Sequence, residues 1–316
     1  MRISHTLPDT CPRPTVVALG FFDGVHLGHR AVIREAKARA LALNCDCAVF
    51  TFSQSPRNVF SPGSVSVISS EKDKTEALRS LDVDWMLSLP FDEEIRGMTP
   101  REFFDTVLLS RLHARHLVCG YNYSFGAGGS GDVSLLRTLC EAANIGLTVL
   151  PDVTVSGISV SSSAIRHAVR EGRMKEAERL LGRPFSLSLP VIDGQKLARR
   201  LGFPTMNQKI EAHALTPKHG VYVTRVRLPH ESAPHFGITN VGHRPTVGGG
   251  EIFAETHIFD FEGNLYEQKI PVEFLTFLRP EKPFSSVEAL AEQVKQDIER
   301  ARQYLAEHFP TQEDRA

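Results

Sequence analysis

The chain has 316 residues, 41% of them apolar, enough for about two domains that each bury a core of their own. With 36 basic and 37 acidic side chains the net charge is -1, so no global field gathers nucleic acid or anionic lipid, and small molecules are the expected ligands. No stretch approaches the roughly 20 apolar residues of a bilayer crossing, and residues 1–10 hold no apolar leader core, so a cytoplasmic protein with no membrane partner is expected.

In chain order, residues 15–20 read as a strand, 29–43 as a helix and 47–52 as a strand. A helix over 71–81, a strand at 84–89, a helix at 100–112, a strand at 116–119, a helix at 134–143 and a strand at 146–150 follow. Strands alternating with helices predict a doubly wound α/β domain. Residues 162–181 read as helical, and Gly182-Arg183-Pro184 ends that run, which sets a boundary near Phe185: one domain over 1–185, a second over 186–316. Beyond it the period changes to two at 221–228, 253–261 and 269–277, with Glu262-Gly263-Asn264 as a hairpin turn, predicting a small antiparallel β-barrel. A closing helix starts at Ser285 or Ser286, with Ser285 and Glu288 as a capping box and Val287, Leu290, Val294, Ile298, Ala301 and Leu305 on one face. The five cysteines (11, 45, 47, 119, 140) are scattered without zinc-site spacing and read as reduced, mostly buried thiols.

Between the first strand and first helix lies Gly20-Phe21-Phe22-Asp23-Gly24-Val25-His26-Leu27-Gly28-His29. Glycines let the backbone turn tightly against a ligand, and the opening helix aims unbonded N–H groups and a positive dipole end at the same place, an anion site. His26 and His29, three apart, can donate to phosphate oxygens as charge builds in a transition state; as incidental surface or capping residues they would do no chemistry. Near 162, serine hydroxyls at a helix start with Arg166 one turn on make a second phosphate clamp, or else an ordinary cap followed by an exposed arginine. A competing signal is Gly126-Ala127-Gly128-Gly129-Ser130-Gly131, which satisfies the dinucleotide pattern Gly-x-Gly-x-x-Gly with Asp152 about 20 residues on. Residues 121–125 separate it from its strand, so a mobile active-site loop is expected there, with a dehydrogenase as the rival class.

The string from Gly20 to His29 resembles the HxGH nucleotidyltransferases and is similar to their FAD synthetase branch. Thr51-Phe52 with Pro56-Arg57, Gly120-Tyr121-Asn122-Tyr123-Ser124-Phe125-Gly126 and Ser161-Ser162-Ser163-Ala164-Ile165-Arg166 extend the resemblance, with Ser55 where the family has a histidine and Ser163 where it has threonine. Leu201-Gly202-Phe203-Pro204-Thr205-Met206-Asn207 resembles the Pro-Thr-Ala-Asn motif of riboflavin kinases, and the runs 239–246, Glu255-Thr256-His257 and Phe277-Leu278-Arg279 with Glu281 and Phe284 match further along. The family implied is the bacterial bifunctional riboflavin kinase and FAD synthetase, with ATP, riboflavin, FMN and FAD as ligands. It implies catalytic roles for His26, His29 and Glu255. It also implies nucleotide or flavin contacts at Gly20, Phe21, Asp23, Gly24, Asn122, Ser162, Ser163, Arg166 and Gly194, and Mg2+ held with ATP by Thr205 and Asn207; Lys196 stands where the family has a glycine and is expected to supply charge to the nucleotide instead. Hard oxygen ligands suit magnesium. An FMN phosphate is already ionised and needs no base, whereas a ribityl hydroxyl does, and Glu255 is the candidate. Gly194-Gln195-Lys196-Leu197-Ala198 keeps one glycine of the family's phosphate loop, and Asp193 stands where a histidine is usual. A FAD synthetase with an inactive or altered kinase is therefore the alternative reading.

Overall fold

A computed structural model describes residues 1–61, 63–194, 202–231, 233–244 and 250–310. The chain divides into two compact units, Met1–Ala164 and Ile165–Ala316. The division falls ahead of Phe185, the boundary read from the sequence.

In the first unit, β1 (Arg2–Ser4), β2 (Thr15–Leu19), β3 (Asp46–Phe52), β4 (Trp85–Leu89), β5 (Ala114–Gly120) and β6 (Gly146–Leu150) form one parallel sheet in the order β1-β4-β3-β2-β5-β6. β2 is buried on both faces, and its alternation sorts the core into two layers. Val16 and Ala18 pack with Val32, Ile33 and Ala36 of helix α1 (Leu27–Ala42), while Val17 and Leu19 pack with Phe103, Phe104, Val107 and Leu108 on the other side. The short helices α2 (Pro56–Phe60), α3 (Glu71–Arg79), α4 (Glu93–Gly97) and α5 (Pro100–Glu102) follow. The last continues as a π-helical run over Phe103–Arg111, and α6 (Val133–Ala142) covers the same side. Since β3 and β4 lie to one side of β2 and β5 and β6 to the other, the sheet has its switch point between β2 and β5, the place where open α/β sheets bind ligands. The doubly wound reading holds; the edge strand β1 is an addition that its three residues did not announce.

Two short strands, β7 (Thr154–Val155) and β8 (Ile158–Ser159), precede helices α7 (Ser162–Arg170) and α8 (Met174–Leu181). The single helical run expected over 162–181 is thus broken. Gly172 sits between the halves at φ 75°, and a side chain there would press on Phe277 at 3.3 Å.

The second unit closes six antiparallel strands into a barrel, β10-β13-β12-β11-β14-β9: β9 (Phe185–Ile192), β10 (Met206–Ile210), β11 (Gly220–Val226), β12 (His235–Arg244), β13 (Glu251–Ile258) and β14 (Lys269–Arg279). Inside it, the hydroxyls of Thr224, Thr239 and Thr256 form a fully buried chain, 2.9 and 2.8 Å apart. The hairpin expected at 262–264 is not formed. β13 pairs with β10 and β12 whereas β14 pairs with β11 and β9, so residues 259–268 cross between strands that are not neighbours. Helix α9 (Val287–His308) closes the unit; its cap is Ser286, accepting from the Ala289 N–H, in place of a Ser285–Glu288 box. Val294, Ile298, Ala301 and Leu305 pack on the barrel as the stripe predicted, while Val287 is exposed.

Candidate functional sites

The phosphate turn leaves β2 at the carboxyl edge of the sheet. Phe22 and Val25 take left-handed conformations at φ 54° and 42°, beside Gly24 at 78°, a concentration of backbone strain of the kind found at ligand sites. Two neighbouring segments hold it. The buried Asp23 carboxylate accepts from the N–H groups of Ile68 (2.9 Å) and Ser69 (3.3 Å), and the Ser69 hydroxyl accepts from the Gly24 N–H at 3.1 Å. Thr51, at the end of β3, donates its hydroxyl to the Phe21 carbonyl at 2.7 Å.

Helix α1 opens at Leu27, two residues earlier than expected, because His26 is its cap: Nδ1 accepts from the His29 N–H at 3.2 Å. That bond fixes the tautomer, since an accepting Nδ1 carries no proton and the neutral ring's hydrogen must be on Nε2. The His26 and His29 rings stack at 3.5 Å between centroids, with Phe22 edge-on to His29 at 5.2 Å. The pair is therefore one rigid unit at the positive end of α1, as an anion site requires.

Asn122 is exposed just beyond β5, the strand next to β2, so the topology brings it to the same sheet edge as the turn. Ser161 caps α7 by accepting from the Ala164 N–H, Ser162 reaches the Asp23 carbonyl at 3.4 Å, Ser163 is exposed, and Arg166 lies partly buried one turn into α7. Sequence reasoning passed over Lys74. This lysine is 4% exposed, donates to the Phe52 carbonyl at 2.8 Å, pairs with Glu71 at 3.0 Å and lies over the Phe21 ring at 5.2 Å. A lysine one turn before the buried Leu78 on α3 was the available signal.

The glycine-rich run at 126–131 is stitched in place. Phe125 and Gly131 exchange two backbone hydrogen bonds of 2.9 Å, and the Ala127 N–H donates to the Met98 carbonyl at 2.7 Å. It therefore does not open a helix directly from a strand end, as a dinucleotide fingerprint does.

On the barrel, Asn207 and Glu255 are directly opposite across β10 and β13, and Glu255 is opposite Asn240 on β12. All three belong to the outward-facing alternation, since Thr239 and Thr256 beside them point inward. The Asn240 amide donates to Glu281 at 3.2 Å, bringing a second carboxylate to this face that the sequence had only matched. Asn207 donates to the Thr205 carbonyl at 3.2 Å, and a side chain on Gly194 would reach to 2.4 Å from the Asn207 amide nitrogen. Gly194, Thr205, Asn207 and Glu255 are thus one cluster, and Thr205 and Asn207 offer hydroxyl and amide oxygens, the hard donors magnesium takes. Lys196 and the rest of the altered loop lie outside the described residues.

An FAD synthetase family model matches residues 9–164, and a riboflavin kinase model matches residues 181–305. Over 93% of this chain and 94% of its own length, the bifunctional riboflavin kinase/FMN adenylyltransferase of Pseudomonas fluorescens is 37% identical. Its counterpart from Listeria monocytogenes is 35% identical over 92% of each. The chain belongs to the bifunctional riboflavin kinase/FMN adenylyltransferase family. Both domains of that family are present in one chain, each with its own cluster of polar side chains. A crystal structure described as a macrolide-efflux protein from Streptococcus pneumoniae superposes with a TM-score of 0.87 at 28% identity, covering 96% of this chain and 99% of that one, so the two share their fold. Among the described residues no helix is long and apolar enough to cross a membrane.

Proposed function

We propose that residues 1–185 transfer the adenylyl group of ATP to FMN, that residues 186–316 phosphorylate riboflavin, and that both steps run in the cytoplasm with Mg2+ accompanying ATP. The observation that carries the first assignment is the stacked His26–His29 pair at the opening of α1. An FMN phosphate oxygen attacks the α-phosphorus of ATP, a new P–O bond forms, and the bond to the β-phosphate bridging oxygen breaks to release pyrophosphate. Because the attacking phosphate is ionised, the site has only to align it and neutralise charge. We assign the neutralisation to His26, through its Nε2 proton, to His29, to the N–H groups at the start of α1, and to Ser162, Ser163 and Arg166 at the start of α7. Gly20, Phe21 and Gly24 shape the turn and Asn122 contacts a ligand at the sheet edge. Asp23 acts through the turn it braces, because its buried carboxylate already receives two backbone N–H groups.

In the kinase step the terminal ribityl hydroxyl attacks the γ-phosphorus, its proton passes to Glu255, and ADP leaves with the electron pair of the broken bond. The opposition of Glu255 and Asn207 supports this reading, since it sets the base beside the residue that would hold the metal. Bound magnesium would neutralise nucleotide phosphate charge; Thr205 and Asn207 would hold it and Gly194 would leave room for the phosphates. Five free cysteines suit a reducing compartment.

Incubation of the purified protein with riboflavin, ATP and Mg2+, and separately with FMN, followed by chromatography of the flavins, tests both halves. FAD is expected from either substrate. In the variants, His29→Ala is expected to abolish FAD formation and spare FMN formation, and Glu255→Ala to do the reverse. Loss of both activities in either folded variant would contradict two separate sites, and FAD from FMN alone would leave a synthetase with an altered kinase.

A further inference from the structure

The Pro204-Thr205 turn is gripped from β13 by a residue that the reaction scheme does not use. The ring of His257 is half-buried between Phe203, edge-on at 5.8 Å, and Phe259, at 5.8 Å. Its Nδ1 lies 2.9 Å from the Pro204 carbonyl oxygen. A carbonyl only accepts, so Nδ1 carries a proton and donates it. The next carbonyl, that of Thr205, accepts from the Asn207 amide at 3.2 Å. The peptide planes before and after Thr205 are therefore both tied to barrel strands, one through β13 and one through β10, and between two fixed planes the Cα–Cβ bond of the threonine is set, leaving its hydroxyl only the staggered χ1 positions. His257 shares the outward face of β13 with Glu255, two residues away, so one strand carries both the base and the clamp.

We propose that His257 is a positioning residue of the kinase site: by holding the Pro204 carbonyl it fixes the Thr205 hydroxyl for the magnesium nucleotide. The inference rests on the kinase reading above. Nothing in it requires His257 to touch substrate or to change charge. Losing the clamp frees one of the two planes, and a misplacement of about 1 Å is enough to slow a positioned phosphoryl transfer about 100-fold.

Three substitutions separate the clamp from mere packing. In His257→Asn the amide nitrogen stands where Nδ1 stood; in His257→Gln it stands where Nε2 stood, out of line with Pro204; His257→Phe keeps the ring and removes the donor. FMN formation is measured against Mg2+, ATP and riboflavin concentration, and FAD formation from FMN reports on the first unit of the same protein. Calorimetric titration with Mg·ADP reads the turn without turnover.

For Phe and Gln we expect kcat/KM for Mg·ATP to fall about 10- to 100-fold, one class of Mg·ADP site to weaken about tenfold, and the riboflavin KM to stay within about twofold. Asn is expected to stay near the parent protein, and FAD formation to be unchanged throughout. Parent-like behaviour of Phe and Gln, or an Asn variant as impaired as Phe, would overturn the proposal. Should Phe unfold the barrel, the contrast between Asn and Gln decides alone. A parent protein that makes no FMN would sink the kinase reading instead, while the Mg·ADP titrations would still show whether His257 orders the turn.

Discussion

Glycine 194 shows how one hydrogen atom can decide a site. Its backbone lies against the Asn207 side chain so closely that a methyl group would sit 2.4 Å from the amide nitrogen and 2.9 Å from the oxygen. Gly194→Ala must therefore displace the Asn207 side-chain amide. FMN formation is expected to drop at least about tenfold while FAD formation from FMN is retained, as flavin chromatography would show. In the first unit Asp23 plays the comparable part through hydrogen bonds. Asp23→Ala leaves the Ile68 and Ser69 N–H groups without their acceptor, which typically costs about 1–3 kcal/mol for buried groups. A lower denaturation midpoint and loss of FAD formation are expected, with FMN formation intact. The motif containing Asp23 was visible in the sequence; what its carboxylate binds was not, because Ile68 and Ser69 lie 45 and 46 residues away and carry no chemical signature.

At the scale of elements, the apolar stripe of α9 was readable from its spacing, but the polar contact that anchors the helix was not. Asp297 is 1% exposed and receives Arg279 through Nε at 3.0 Å and a terminal nitrogen at 2.8 Å, with Gln293 adding a third donor at 3.0 Å. Arg279 ends β14 two residues before Glu281, so the pair ties α9 to the turn that carries Glu281 to Asn240. Removing one partner of such a buried pair leaves an uncompensated charge. Asp297→Ala is accordingly expected to destabilise the barrel by about 3 kcal/mol in urea unfolding followed by far-UV circular dichroism, while FAD formation from FMN continues. The break at Gly172 and the crossing at 259–268 belong to the same scale. Helical spacing runs through 162–181 without interruption, and Glu262-Gly263-Asn264 is a good turn sequence, yet the left-handed turn at Gly172 ends the first helix and the strand order of the barrel overrides the hairpin.

Over the whole molecule, all five cysteines fall in the first unit and four of them are buried. Burial pushes the Cys47 and Cys119 thiols up to about 12 and Cys140 up to about 11, and raises Cys11 and the half-buried Cys45 as well. Thiolate is the reactive form, so at pH 8 a disulfide reagent should titrate about one thiol in the native protein, Cys45, and all five after denaturation. Early reaction of more than one would mean that the first unit opens readily. By itself the sequence determined the parallel sheet, the barrel and the glycine-spaced turn between the first strand and first helix, because strand and helix periods and short motifs are local properties that survive without a partner. Tertiary structure alone decided that His26 caps α1 with Nδ1 and so keeps its proton on Nε2, that Lys74 is buried over Phe21, that Asn207 faces Glu255, and that His257 holds Pro204. Each of these is set by a contact between segments distant in the chain or by a ring orientation within a turn, and no residue spacing encodes either.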